Sequence, residues 1–315
     1  MIETRGLKKS FATRKGAVEA VRGVDLDVRE GEIFGFLGPN GAGKTTTLRM
    51  LATLIAPDGG TATVAGADLR REPGEVRKRI GYVAQGGTTW DEVTPREELV
   101  MQARLYGIAK PEAQRRAAAK VEAFQLAEFA DRKCKTLSGG QRRRVDVALG
   151  VIHEPRLVFL DEPTTGLDPQ SRAHMWDEVR RLRDEGTTIF LTTHYLDEAD
   201  ALCDRIAIMD YGRIVALGTP DELKREVAGD VVTLGVAPGQ RAKAGELLGP
   251  EPYVRQVDEG EAGQVRLYVD EGATALPLIM RSLDGANIPI NSIELHRPSL
   301  DDVFLTRTGR SLRDA

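Results

Sequence analysis

Residues with the types and spacing of a phosphate-binding loop occur in GPNGAGKT, from Gly38 to Thr45, which matches the pattern GxxxxGK[ST]. The loop follows the apolar run Ile33–Leu37 and precedes the helical run TTTLRMLATLI. Its glycines let successive backbone N–H groups converge on the β- and γ-phosphates of a nucleotide. Lys44 adds a positive charge there, and the Thr45 hydroxyl can bind Mg²⁺. An ordinary strand–helix turn would need neither the lysine nor the hydroxyl.

Two adjacent carboxylates, Asp161 and Glu162, follow a short apolar run in RLVFLDEP. A carboxylate at the C-terminal end of a parallel strand lies where open α/β sheets bind their ligands. We expect Asp161 to hold Mg²⁺, directly or through water, and Glu162 to polarise the water that attacks the γ-phosphorus. Two adjacent acids are more often solvated, but four apolar residues before them argue against a surface position.

A second anion-binding helix start is indicated by LSGGQ, which precedes an apolar-periodic run. Ser138 is a favourable N-cap, and Gly139 and Gly140 allow close backbone approach at the positive end of a helix. Arg142–Arg144 follow in the first turn, where cations oppose the helix dipole. A solvated helix face is the favoured interpretation of these arginines, and a role near a nucleotide is the weaker hypothesis.

The elements that must position these residues alternate short apolar runs with longer amphipathic ones up to about Glu226, which predicts an α/β fold. The predicted strands of this part are Ile33–Leu37, Leu157–Leu160, Thr188–Thr192 and Arg205–Met209. Between Gly86 and Lys135 the pattern indicates helices, Arg96–Tyr106 and Ala113–Phe124, and no convincing strand. We therefore expect a mostly helical insert within the α/β body.

After Gly229 the pattern predicts four strands and two helices in the order βαββαβ, the split-βαβ arrangement. The predicted strands are Asp230–Val236, Tyr253–Val257, Gln264–Val269 and Ile288–Leu295, and the helices are Arg241–Leu248 and Thr274–Ser282. A last helix, Leu300–Thr306, has Ser299 as its expected N-cap. The apolar spacing of Leu300, Val303 and Phe304 favours docking on the helix's own domain, with a dimer mate as the alternative.

The composition is that of a soluble globular protein of 315 residues, with 41% hydrophobic and 29% charged residues. A net charge of −4 gives no general basic face, which weakens any role in nucleic-acid binding. Cys134 and Cys203 lack metal-ligand spacing and are expected to be buried or partly buried thiols. The N-terminal segment has no apolar core typical of a secretory signal, and no apolar run has the length of a membrane span. Any membrane role is therefore expected to depend on another polypeptide.

The motifs GPNGAGKTT, LSGGQ and LDEPTTGLD resemble, in order and spacing, those of ABC transporter nucleotide-binding subunits, over residues 1 to about 226. The resemblance implies an α/β fold, the P-loop NTPase ABC cassette, with a RecA-like core and a helical subdomain at about 86–136. A small C-terminal α+β domain, residues 229–315, would have an accessory, regulatory or dimerisation role. LSGGQ would bind the γ-phosphate of ATP held by a second chain, in a head-to-tail dimer that encloses two nucleotides.

The resemblance also assigns individual residues. Phe11 would stack on adenine, with a core position as the alternative, and Asp168 in GLDP would contact the second chain. The full set of residues implied to bind ATP is Phe11, Gly38, Pro39, Asn40, Gly41, Ala42, Gly43, Lys44, Thr45, Thr46, Ser138, Gly139, Gly140, Gln141 and Asp168. The implied Mg²⁺ ligands are Thr45, Gln85 and Asp161.

The implied catalytic residues are Glu162, His194, Lys44 and Gln85. Gln85, in GYVAQGG, would reach Mg²⁺ and the attacking water, and His194, in FLTTHYLDEAD, would sense the γ-phosphate. A lone histidine at a strand end is usually structural, so its role depends on the motif around it. Because no motif residue departs from the family pattern, we expect a site that is competent for hydrolysis.

Four further segments, RRRVDVALG, TTGLDPQSR, TTHYLDEADALCDRIAIM and SLDDVFLTRTGR, resemble the daunorubicin/doxorubicin-resistance type of exporter ATPase. This resemblance implies efflux of a drug-like or lipid substrate through a separate integral membrane subunit, with the chain bound peripherally at the cytoplasmic face of the cell membrane. Importer ATPases are the first alternative, although their C-terminal extensions are usually barrel-like. A soluble ABC ATPase acting on nucleic acid is the second, and it would need a basic stripe.

Two roles are left open by the sequence. Trp90, Leu105 and Tyr106 are candidates to line a groove for helices of the membrane subunit, and the core of the helical insert is an equally good interpretation of them. The C-terminal domain could also be a ligand-sensing module, a hypothesis that depends on fold analogy alone.

Overall fold

The computed structural model describes residues 1–13, 16–227, 229–259 and 264–309. Their internal contacts divide them into one unit, Met1–Thr219, and a second unit that starts at Pro220. The sequence pattern placed the end of the first domain at about 226, near the end of the helix Pro220–Val227. That helix instead belongs to the second unit, because it packs against a helix near the end of the chain. An amphipathic pattern does not show which unit buries its apolar face.

The first unit contains strands and helices that alternate through most of its length. In chain order, its strands are β1 (Ile2–Thr13), β2 (Gly16–Val28), β3 (Ile33–Leu37), β4 (Gly59–Val64), β5 (Ala67–Asp68), β6 (Ile80–Val83), β7 (Leu157–Asp161), β8 (Thr188–Thr193), β9 (Arg205–Asp210) and β10 (Arg213–Gly218). Its α-helices are α1 (Lys44–Leu51), α2 (Pro73–Arg79), α3 (Pro95–Leu105), α4 (Lys110–Ala123), α5 (Gly139–Gly150), α6 (Pro169–Asp184) and α7 (Leu196–Leu202).

The central sheet of this unit has the strand order β10-β9-β3-β8-β7-β6 and is parallel except for β10. Every residue of β3, β7 and β8 is buried, as expected for parallel strands with both faces covered. The four strands that the sequence predicted here are confirmed, with ends that differ by at most one residue. The register pairs Leu37 with Thr193 and Asp161 with Thr192, so these three strands end at one edge.

Four phenylalanines stiffen this sheet on one face. Phe34 and Phe36 of β3 contact Phe190 of β8, and Phe159 of β7 contacts the same ring, with ring centroids 4.9–5.6 Å apart. All four side chains are fully buried. Such a packed aromatic cluster fixes β3, β7 and β8 relative to one another. The starting points of the loops that follow these strands are therefore fixed as well.

The first unit also contains an antiparallel sheet with the order β2-β1-β4-β5. The sequence pattern did not predict this sheet. The outer part of β1 is exposed, and the pairing of β1 with β2 shifts register at three places. A half-exposed strand with such irregularities has only a weak alternation of apolar and polar residues.

The predicted helical insert is confirmed at the level of its elements. Residues 86–136 are all described and contain α3, α4 and a short 3₁₀ turn, Cys134–Thr136, without a strand. Helix α3 begins with Pro95 in its first turn and with a capping box between Thr94 and Glu97, so its start is well specified by the sequence.

Both cysteines, Cys134 and Cys203, are free and buried, as expected.

The second unit is built around an antiparallel sheet with the order β12-β13-β11-β14. Its elements are α8 (Pro220–Val227), β11 (Asp230–Val236), α9 (Arg241–Leu248), β12 (Val254–Glu259), β13 (Gln264–Val269), α10 (Gly272–Gly285), β14 (Ile290–His296) and α11 (Leu300–Thr308). The predicted βαββαβ order of β11 to β14 is therefore confirmed. Alternate residues of β11 and β13, such as Leu234 and Leu267, form its core with Ile279 of α10.

The terminal helix α11 starts as the sequence predicts. Ser299 accepts a hydrogen bond from the backbone N–H of Asp302 and forms a capping box with it. The apolar residues Leu300, Val303 and Phe304 are buried. Helix α11 packs against α8, and Arg307 forms a 2.6 Å ion pair with Glu226. Docking within its own unit, the favoured interpretation, agrees with this packing.

None of the helices in the described ranges is both long and apolar enough to span a bilayer.

Candidate active site

The loop between β3 and α1 requires glycine at two positions because backbone surrounds it. A Cβ atom at Gly38 would lie 2.2 Å from the carbonyl oxygen of Met209, and one at Gly43 would lie 2.4 Å from that of Ala20. Gly43 also has a φ of +105°, which L-residues rarely adopt. The predicted segment 38–46 therefore packs tightly against β9 of the central sheet and β2 of the antiparallel sheet, and it leads directly into the N-terminus of α1.

Lys44 lies inside this loop. Its buried ammonium donates hydrogen bonds to the carbonyl oxygens of Gly38, at 2.7 Å, and Pro39, at 3.0 Å. Glu162 Oε1 is 3.8 Å from the same nitrogen. Burial lowers the pKa of Lys44, and the charges of Glu162 and Asp161 partly offset that effect. The loop thus presents a desolvated positive charge beside two carboxylates.

Asp161 lies at the end of β7 and is completely buried. Its Oδ1 accepts hydrogen bonds from the hydroxyls of Thr45, at 2.9 Å, and Thr192, at 2.7 Å. Its Oδ2 has no hydrogen-bond partner among the described residues. A buried carboxylate oxygen without a donor, next to a threonine hydroxyl, fits a hard cation that prefers oxygen ligands. The structure therefore brings together Thr45 and Asp161, two of the residues expected to bind Mg²⁺.

Glu162 is held in an unusual backbone conformation, with a φ of +46°. Its N–H lies 3.0 Å from Thr192 Oγ1 and 3.1 Å from the carbonyl oxygen of the same residue, in the adjacent strand β8. Non-glycine residues in the left-handed region occur often where a site needs a side chain in a fixed direction. The turn after β7 therefore determines where the Glu162 carboxylate points.

The Glu162 carboxylate is the point at which the predicted catalytic residues meet. Its Oε2 accepts hydrogen bonds from Gln85 Nε2, at 2.8 Å, and Thr165 Oγ1, at 3.1 Å. His194 Nδ1 is 3.4 Å from the same oxygen, without the alignment of a hydrogen bond. With Lys44 on the other oxygen, all four residues of the predicted catalytic set are neighbours. Gln85, expected near Mg²⁺, contacts Glu162 here rather than Asp161 or Thr45.

The LSGGQ segment forms the start of α5, and Ser138 is its N-cap as predicted. The Ser138 hydroxyl accepts from the Gln141 N–H at 3.3 Å, and the Gln141 side chain accepts from the Ser138 N–H at 3.0 Å. A Cβ atom at Gly140 would lie 2.6 Å from Ser171 Oγ, whereas the space at Gly139 is open. The helix start is thus rigid, and it is free of side chains where a ligand could approach.

The interpretation of Arg142–Arg144 as a solvated face is wrong for Arg143. That side chain is buried and donates hydrogen bonds to backbone carbonyls that follow β7 and β6. Arg142 forms an ion pair with Asp91, and Arg144 lies over the ring of Phe129. Arg143 lies four residues before the buried Val147, and this spacing is the signal that could have placed it on the inner face of α5.

Phe11 and Asp168 are both exposed on the surface of the first unit. The Phe11 ring is 41% exposed on β1, so the alternative of a core position is wrong. Asp168 is the N-cap of α6 and accepts hydrogen bonds from the N–H and the hydroxyl of Ser171, at 2.9 and 2.6 Å. These hydrogen bonds lower the pKa of Asp168. Both residues are therefore accessible to a ligand or a second chain.

The helical insert has a groove of about 490 Å³ beside α3. Trp90, Leu105 and Tyr106 contribute to its lining, and they are 62%, 76% and 39% exposed. This exposure excludes the interpretation of these residues as the core of the insert. Tyr106 stacks on His153 with ring centroids 3.6 Å apart, which stiffens one side of the groove.

Residues 21–165 match the family described as ABC transporter, and residues 218–308 match the C-terminal domain of DrrA1-3-like ATP-binding proteins. The daunorubicin/doxorubicin resistance ATP-binding protein DrrA of Streptomyces peucetius is 46% identical over 99% of this chain and 94% of its own length. The chain belongs to the ATP-binding subunits of ABC transporters. It is thus an ATPase of the type coupled to transport, and the predicted resemblance is confirmed.

More distant relatives of this ABC ATPase match either the whole chain or only part of it. The linearmycin resistance ATP-binding protein LnrL of Bacillus subtilis is 35% identical over all of both chains. A solved structure described as the dimeric structure of MJ0796, a bacterial ABC transporter cassette, is 25% identical, with a TM-score of 0.64 over 70% of this chain and 98% of that chain. The predicted fold class, a P-loop ABC cassette followed by a C-terminal domain, is confirmed.

Proposed function

We propose that this chain is the ATP-hydrolysing subunit of an export complex and that Glu162 is its general base. The observation that carries the proposal is the set of contacts around one carboxylate, where Gln85, His194 and Lys44 all lie within 3.8 Å of Glu162 oxygens. A buried carboxylate and a neighbouring amide can orient a water molecule for attack on a γ-phosphate. An imidazole and an ammonium beside them can stabilise the negative charge that develops during the attack.

ATP would bind with its adenine on the exposed ring of Phe11 and its phosphates in the loop 38–46. Backbone N–H groups of that loop and Lys44 would contact the phosphates. Thr45 and Asp161 would hold Mg²⁺, together with Gln85 if its side chain turns from Glu162. When bound, the ion would neutralise part of the charge on the phosphates.

In the hydrolytic step Glu162 would accept the proton of the attacking water while Gln85 orients that water. Lys44 and His194 would stabilise the negative charge of the transferred γ-phosphoryl group. The strained backbone at Glu162 supports this role, because it fixes the carboxylate before ATP arrives.

A second chain would complete each site. Ser138, Gly139, Gly140 and Gln141 of one chain would bind the γ-phosphate held by the other, and Asp168 would contact that chain across the interface. The open space at Gly139 and the exposed position of Asp168 support this arrangement. Because these charge-assisted contacts need a triphosphate, ATP would select the closed dimer by differential affinity, and hydrolysis would release it.

Closure would act on a separate integral membrane subunit, whose helices would enter the groove lined by Trp90, Leu105 and Tyr106. Exposed apolar side chains around a groove are typical of a protein interface. The chain would then lie at the cytoplasmic face of the cell membrane, bound to that subunit. The second unit, described from Pro220 onward, would have an accessory, regulatory or dimerisation role.

The proposed cargo is an amphipathic drug-like or lipid compound that leaves the cell. The names of relatives support export, since they include resistance to daunorubicin and to linearmycin and Nod factor export in Ralstonia nicotianae. Import and mechanical work on nucleic acid are the alternatives. The −4 net charge of the chain supports neither a basic stripe nor binding to nucleic acid.

Fluorescence of daunorubicin retained by cells tests the proposal, in cells that express this chain together with its membrane subunit. The native pair should lower the retained drug, and Lys44→Ala should abolish that effect because nucleotide binding is lost. Lys78→Ala is the control, because it removes an exposed lysine that is distant in sequence from the loop 38–46. It should behave like the native protein. Greater ATP-dependent retention in the native pair than in Lys44→Ala cells would contradict export.

A further inference from the structure

The guanidinium of Arg143 lies under the catalytic turn that follows β7. Its Nε donates a hydrogen bond to the carbonyl oxygen of Pro163 at 2.8 Å. Its Nη2 donates to the carbonyl oxygens of Asp161, at 3.1 Å, and Glu162, at 3.4 Å. One side chain of α5 thus binds three consecutive carbonyls of the turn that carries the proposed metal ligand and the proposed base. Arg143 is only 7% exposed, so water does not compete for these bonds.

The same helix holds the segment that carries Gln85 at two points. Arg143 Nη1 donates to the carbonyl oxygen of Ala84, the residue immediately before Gln85. Asp146, one turn further along α5, accepts a hydrogen bond from the N–H of Thr88 at 2.9 Å. Gln85 lies between these two points, and its side chain contacts Glu162. The segment 84–88 and the turn after β7 are therefore both fastened to α5.

We propose that Arg143 is a positioning residue for ATP hydrolysis, which sets Gln85 and Glu162 relative to each other and ties both to the helix that begins with Ser138. The inference deepens the proposed function and depends on the roles given there to Glu162 and Gln85. Its consequence is that the helix offered to the nucleotide of a second chain also aligns the water-orienting groups of its own chain. A shift of α5 would then change both half-sites together.

Only arginine has the donor geometry for this position. Its planar guanidinium carries five N–H donors in a fixed fork, and four carbonyl acceptors surround it here. Burial lowers the pKa of Arg143, while nearby Asp146, Asp161 and Glu198 favour its charged form. A lysine would keep the charge but offer three donors from a single point, too few to reach both Ala84 and Pro163 in one plane. A glutamine would lose the charge and most of the donors.

Steady-state ATP hydrolysis by the full chain tests the inference, with Arg143→Lys and Arg143→Gln against Arg144→Gln as a matched control on the same helix. Misplaced water-orienting groups should lower kcat by about 10- to 100-fold while KM for MgATP changes by less than about twofold, because the loop 38–46 is untouched. Arg144→Gln should leave both constants unchanged. Thermal melting verifies that each variant is folded. If Arg143→Gln does not fold, the kcat of Arg143→Lys alone tests the inference.

A double-mutant cycle with Gln85→Ala separates positioning from a general structural effect. Because Arg143 sets Gln85 relative to Glu162, part of its effect should vanish when Gln85 is already removed, so the loss of kcat in the double variant should be clearly smaller than the product of the two single losses. A kcat of Arg143→Lys within about twofold of native, or losses that multiply in the double variant, would overturn the inference. Glu162→Gln is assayed alongside. If Glu162→Gln hydrolyses ATP at the native rate, the proposed function itself is refuted. If Glu162→Gln is inactive but Arg143→Lys behaves like the native protein, only the role of Arg143 is refuted.

Discussion

At the scale of single residues, the site depends on how Glu162 is held. Its φ of +46° costs a non-glycine residue on the order of 1–3 kcal/mol, and hydrogen bonds from its N–H to Thr192 maintain that conformation. Motif spacing predicted Glu162, Lys44 and Asp161, because their chemistry is inseparable from their residue types. It did not predict the burial of Arg143, because three consecutive arginines suggest a single exposed face, and only the four-residue spacing to Val147 marks Arg143 as facing inward.

Substitution of Glu162 by glutamine should retain ATP binding and remove hydrolysis. The amide keeps the size of the side chain but accepts no proton, so kcat should fall by at least about 100-fold, the usual contribution of a general base. Phosphate release measures kcat, and titration with a fluorescent ATP analogue measures binding. Glu128→Gln, an exposed glutamate of the helical insert, is the matched control and should be unaffected. Native turnover by Glu162→Gln would show that the base lies elsewhere.

At the scale of elements, the predictable parts were those with both faces buried. Strands β3, β7 and β8 are continuous apolar runs, which is why their positions and their common edge followed from the sequence. The antiparallel sheet that carries Phe11 was missed, because the outer part of β1 is exposed and its register is irregular. The contact between Gln85 and Glu162 was missed for another reason: it joins two loops that are distant in sequence.

The phosphate-binding loop allows a controlled comparison between two of its glycines. Gly41 and Gly43 both have a positive φ, but only Gly43 faces backbone, with a Cβ position 2.4 Å from the Ala20 carbonyl oxygen. Gly41→Ala should lower the free energy of unfolding by roughly 1–2 kcal/mol, the cost of the left-handed conformation alone. Gly43→Ala should lower it by clearly more, because backbone must move. Urea denaturation measures both values, and equal losses would show that the contact with Ala20 is not rigid.

At the scale of the whole molecule, one chain carries two different anion-binding helix starts. The loop before α1 lies with Asp161 and Glu162, whereas Ser138 caps the separate helix α5. The sequence predicted both helix starts and the βαββαβ order of the second unit, because each depends on local patterns. It did not predict that α8 belongs to the second unit, since that depends on packing between helices distant in sequence.

The solution mass of Glu162→Gln, measured by light scattering with and without MgATP, tests most directly the claim that each chain holds two half-sites. Without nucleotide the mass should be that of one 34.4 kDa chain, and with MgATP it should double. Ser138→Arg in the same background should prevent the increase, because the side chain would block the approach of a second nucleotide to α5. A mass that stays at one chain under saturating MgATP, or that doubles despite Ser138→Arg, would contradict the account.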